Sequence, residues 1–63
     1  MATNLEIRVG QRDKLYVLLK LKADNSGVKI NGLEEAINAS EAVMDQEDVA
    51  WVEKKISQIY NSQ

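Results

Sequence analysis

The stretch that decides the fold is DKLYVLLKLKAD, residues 13–24. In an extended chain Leu15, Val17, Leu19, Leu21 and Ala23 fall on one face, and Lys14, Tyr16, Leu18, Lys20 and Lys22 on the other. Alternation with period two over this length is the pattern of a half-buried strand. A helix competes, because Leu and Lys are good helix formers. At about 100° per residue, however, Lys14 and Lys22 land among Leu15, Leu18 and Leu21, and no clean apolar stripe survives. The expectation is a strand. An all-α small bundle, with 13–24 helical, is the alternative.

The flanks extend the same reading. Upstream, Leu5, Ile7 and Val9 alternate with Glu6 and Arg8, and Gly10-Gln11-Arg12-Asp13 suits a loop. Downstream, Asp24-Asn25-Ser26-Gly27 is a strong turn signal. Val28 and Ile30 then flank Lys29 as a short third strand. Residues of about 4–30 thus predict a β-hairpin or a three-stranded antiparallel meander.

Beyond residue 31 the period changes to 3.6. Leu33, Ala36, Ile37, Ser40, Val43 and Met44 share one helical face, and Glu34, Glu35, Asn38, Glu41 and Asp45 lie opposite. Asn31 is a good N-cap, and Glu34 completes a capping-box pattern with it. A second stripe of Val49, Val52, Ile56, Ile59 and Tyr60 is out of phase with the first. The break at Asp45–Asp48 predicts two helices, about 32–45 and 46–61, with Glu47 and Asp48 in the second one's first turn, where negative charge suits the helix dipole. Laid on one face of the sheet, these helices would complete a two-layer α+β domain.

Composition bounds the rest. The chain has 63 residues, enough for one small domain spanning 1–63. It has neither Cys nor His. Disulfides are therefore impossible, and a tetrahedral zinc site lacks its usual ligands. Neither a signal-peptide pattern nor a run of about 18 apolar residues occurs, so the expected setting is cytoplasmic, with no membrane contact. The net charge of −2 hides a split. Residues 1–30 carry six basic and three acidic groups, and residues 31–63 carry two basic and seven acidic ones.

Catalysis fails on inventory. Thr3, Ser26, Ser40, Ser57 and Ser62 have no His or Cys to act with, and capping or turn roles suit them. Adjacent carboxylates such as Glu34-Glu35 diverge by about 100° on a helix and make no dyad. Asp45, Glu47 and Asp48 lack the glycine-containing loop of a calcium site. Three scattered glycines form no phosphate-cradling loop. The expectation is no catalytic, cofactor-binding or metal-binding residue.

Three surfaces carry what functional content there is. On the strand reading, Lys14, Tyr16, Lys20 and Lys22 form a basic face with one aromatic ring, a pattern that single-strand nucleic-acid binders use. The pI of about 4.9 argues against a dedicated nucleic-acid domain. The acidic helix face of Glu34, Glu35, Glu41 and Asp45 could dock on a basic partner or mimic nucleic acid. Trp51 lies about 200° from Val49, off the core stripe and near Lys55, and Trp is enriched at binding hot spots. Trp51, Lys55, Tyr16 and Leu18 are therefore the candidate partner interface. The expected function is a small non-enzymatic interaction or regulatory module, of a size suiting a bacterial, phage or mobile-element protein. It would act as a homo-oligomer, a dimer being favoured, or on a foreign protein. The alternative is a nucleic-acid binder using the basic strand face.

Overall fold

The computed structural model describes residues 3–61, and among them there is no strand. Three helices run in order: α1 from Asn4 to Asp24, α2 from Leu33 to Ala42 and α3 from Gln46 to Asn61. The α+β architecture expected from the period-two pattern is overturned, and with it the hairpin or meander over 4–30. The chain is an all-α small domain.

The reason lies in local chemistry that the alternation obscures. Thr3 caps α1, its hydroxyl oxygen accepting from the Glu6 N–H at 3.1 Å. Thr3-Asn4-Leu5-Glu6 has the spacing of a capping box, a helix-start signal. The segment then holds Leu, Lys, Arg and Gln, all strong helix formers, and no proline. One glycine at Gly10 costs about 1 kcal/mol relative to Ala, too little to interrupt 21 residues. Gly10-Gln11-Arg12-Asp13 is therefore helix interior and not a loop. At the far end both the backbone N–H and the side-chain amide of Asn25 donate to the Leu21 carbonyl, at 3.1 and 2.8 Å. The turn signal after Asp24 thus ends a helix.

Residues 25–32 carry the chain back without the expected third strand. Gly27 and Gly32 both take the left-handed conformation, with φ of 88° and 82°. Gly32, not Asn31, is the N-cap of α2, and no side chain caps it. The left-handed turn at Gly32 moves the helix start one residue past the expected cap. The Leu33 N–H then donates to the Ile30 carbonyl at 3.2 Å, and the Ala36 N–H to that of Gly32 at 3.0 Å. The Asp45 carbonyl starts α3 by accepting from Asp48 and Val49.

α2 and α3 each pack on α1 and hardly touch one another. The core consists of Leu15 and Val52, both fully buried, with Ile37 and Leu33. Tyr16, Leu18, Leu19, Ile30, Met44 and Val49 pack around them. Val43 and Ile59, expected on the inward stripes of α2 and α3, are exposed. Val43 lies just past the end of α2, where the helical spacing no longer holds. On α1 the inward residues Leu15 and Leu19 are one turn apart, whereas Val17 is 62% and Leu21 41% exposed. The period-two pattern joins an inward pair to an outward pair. No helix among the described residues is long and apolar enough to cross a membrane.

Candidate functional site

The most built feature of the molecule joins α1 to α3. Arg8 and Arg12, one helical turn apart, both reach Asp48 in the first turn of α3. Arg8 donates through Nε and Nη2 at 3.1 and 3.0 Å, to the two carboxylate oxygens. Arg12 donates through Nε and Nη2 at 3.0 and 2.6 Å, both to Oδ1. Asp48 is only 2% exposed. A carboxylate so buried must be paired and hydrogen-bonded to remain charged. The Arg8 hydrogen bond, then that of Arg12, hold it at a pKa of about 2, against the opposing effect of burial. The same Arg8 bond raises the pKa of Arg8. From sequence alone, Asp48 reads as a first-turn dipole partner. Its pairing is legible only from Arg8 and Arg12 at i and i+4, and only on a helical α1.

Trp51 extends this cluster outward. The Arg12 guanidinium lies 4.7 Å from the ring centroid and the Lys55 ammonium 5.4 Å. Lys55 is one turn along α3 from Trp51, so the helix places that contact by itself. Arg12 comes from α1. Each such contact at an exposed site contributes about 0.5–1 kcal/mol. Trp51 remains 44% exposed.

Of the expected interface residues, Trp51 and Lys55 are therefore brought together. Tyr16 and Leu18 are half-buried, and both pack against the core. The basic strand face is overturned outright. On α1, Lys14 and Lys20 point about 120° apart, and Lys20 and Lys22 about 160° apart. Lys14, Tyr16, Lys20 and Lys22 therefore share no platform. Lys22 pairs with Glu34 at 3.0 Å across the start of α2, and both partners are well exposed. The acidic residues Glu34 and Glu35 are exposed on α2, as expected, while Asp45 lies beyond its end.

Sequence reasoning missed a different face. On α1, Ile7, Gly10, Lys14, Val17 and Leu21 are spaced 3, 4, 3 and 4 residues apart, a single stripe along the helix. Ile7, Val17 and Leu21 are 47%, 62% and 41% exposed. Among the described residues, a Cβ placed on Gly10 would meet nothing within 4 Å. The signal is present as the 3-4 spacing, and the period-two alternation of the same residues masks it.

Among the described residues no three of His, Cys, Asp and Glu gather as metal ligands would. Comparison with known proteins found no matching family model, no matching curated protein and no matching solved structure.

Proposed function

We propose that the chain is a small, non-enzymatic interaction module that works as a homodimer, the two copies meeting through the outer stripe of α1. The observation that carries this reading is the unpartnered row Ile7, Val17 and Leu21 on a helix whose opposite side forms the core. A two-fold contact uses the same patch on both copies, which suits one self-complementary helix face. Gly10 adds a second support. A glycine inside a helix is costly, and among the described residues nothing lies within 4 Å of a Cβ placed there. A second helix backbone approaching closely there would use that space. Lys14, within the stripe, can lay its methylene stem along the contact and keep its ammonium in water.

The exposed surface agrees. A monomer of 7.1 kDa is expected to expose about 4,100 Å². This chain exposes 4894 Å². Its radius of gyration is 12.3 Å, where about 11 Å is expected for a compact domain of its length. The surplus suits a chain that completes its burial in an assembly. The proposal takes the cytoplasm as its compartment. The nucleic-acid alternative has lost the basic face on which it stood.

Sedimentation equilibrium tests the reading on the wild type and on Val17→Glu. The wild type should dimerise, and the variant should be monomeric with unchanged helical circular dichroism. A wild type that stays monomeric up to ~1 mM, where even a contact of about 4 kcal/mol would register, overturns it.

A further inference from the structure

α2 and α3 stand on either side of α1 without closing on each other, and this leaves a groove of about 660 Å³ between them. Its base is apolar. Leu19 and Ala23 come from α1, Ile37 from α2 and Ile56 from α3. Ile37 is buried, and the other three are half-buried. Three helices with one open seam are one helix short of a four-helix bundle, in which each helix packs on two neighbours. A fourth helix lying in the seam would pack on α2 and α3 together, the helix-in-groove mode of recognition.

The charge around the seam selects the kind of helix. Glu41 from α2 and Glu53 from α3 line opposite walls, and neither is paired among the described residues. Lys22, the one cation among the described residues lining the groove, is already held by Glu34 at 3.0 Å. Tyr60, whose hydroxyl donates to Asp24, also lines the groove. We infer that the α2–α3 groove is a docking site for an amphipathic helix of a partner protein, apolar along one stripe and flanked by Lys or Arg. The apolar stripe seats on Leu19, Ala23 and Ile56, and the flanking cations meet Glu41 and Glu53. This surface is distinct from the outer stripe of α1, which lies on the other side of that helix.

The test uses three fluorescein-labelled helical peptides and reads anisotropy. The first carries Leu at i, i+3, i+4 and i+7 with Lys on both flanks. The second has Glu in place of each Lys. The third is residues 4–24 of this chain. Each is titrated with the wild type, with Glu41→Lys/Glu53→Lys, and with Glu47→Lys, an exposed change outside the groove. Val17→Glu serves as a further background, so that loss of self-association and loss of peptide binding are read separately. The Lys peptide should bind, weaken with salt, and lose at least about tenfold in affinity to the groove variant while Glu47→Lys leaves it unchanged. Equal binding of the Lys and Glu peptides, no binding of either, or equal loss in both charge variants overturns the inference. Binding of the 4–24 peptide in preference to the Lys peptide also overturns it, by making the occupant a second copy of this chain.

Discussion

The carboxylate of Asp48, in the first turn of α3, lies 2.6 Å from the guanidinium of Arg12, midway along α1. The pair spans 36 residues of sequence and is the point at which α3 is registered against α1. Arg8 adds two further hydrogen bonds to the same carboxylate, and Trp51 lies against Arg12. Removing one partner of a buried ion pair leaves the other uncompensated, which is the costly event. Asp48→Asn should therefore lower the thermal midpoint much more than Asp45→Asn, its exposed neighbour in sequence. Trp51 emission should shift to the red as Arg12 loosens. Equal midpoints for the two variants would show that the cluster does not hold α3 in place.

The same carboxylate sets an acid limit. Its folded pKa of about 2 lies below the ordinary 3.8. A group whose folded pKa is depressed contributes stability above the unfolded value and loses it as pH falls through the folded one. The contribution should be complete above about pH 4 and lost on the way to pH 2. Urea midpoints followed across that window should fall more steeply for the wild type than for Asp48→Asn. Parallel curves would locate the acid sensitivity elsewhere.

Tyr60 sets the opposite limit. Its hydrogen bond to Asp24, followed by burial, raises its pKa from 10.0 to about 12. Here the folded value is raised, so the contribution is present below about pH 10 and is lost as pH climbs towards 12. A phenolate absorbance titration should show a step near pH 12, and Tyr60→Phe should remove that step. The absence of a phenolate step near pH 12 in the wild type would contradict the bond.

Ser40 is buried at 6% exposure, and its hydroxyl oxygen has no hydrogen-bond partner among the described residues. An unsatisfied buried polar group costs about 1–3 kcal/mol, and Ala has the better helix propensity. Ser40→Ala should leave the fold as stable or raise its stability by about 1 kcal/mol in urea unfolding. A clear loss would mean that the hydroxyl has a partner in solution.

Gly10→Ala separates the needs of the monomer from those of the proposed dimer. A Cβ there meets nothing within 4 Å among the described residues, so the helix should gain up to about 1 kcal/mol. Self-association should weaken, because the added methyl occupies the close approach. A variant that is both more stable and equally dimeric would place the contact away from Gly10.

Much of the second half is legible from residue spacing. The stripes Leu33-Ala36-Ile37-Ser40 and Val49-Val52-Ile56 are inward faces in the sequence and in the structure, because each of these helices has one buried side and the amphipathic pattern is clean. α1 defeats that logic. It buries Leu15 and Leu19 against two helices, turns Arg8 and Arg12 towards Asp48, and leaves Ile7, Val17 and Leu21 outside. A helix apolar on two sides, with cations on its inner one, has no single stripe to find. The Thr3-to-Glu6 spacing is the local signal that corrects the reading.

By itself the sequence determined the inventory: one small domain's worth of chain, no cysteine or histidine, a basic first half and an acidic second half. It also determined where α2 and α3 form, since periodicity and propensity act over a few residues. Only the tertiary structure decided which charges are paired and which apolar groups are left over. Asp48 is a surface acid until two arginines 36 and 40 residues away fold against it. Leu21 is a core residue until the packing of α2 and α3 on α1 leaves it outside. Burial and pairing belong to contacts between distant segments, and no local pattern specifies which segments meet.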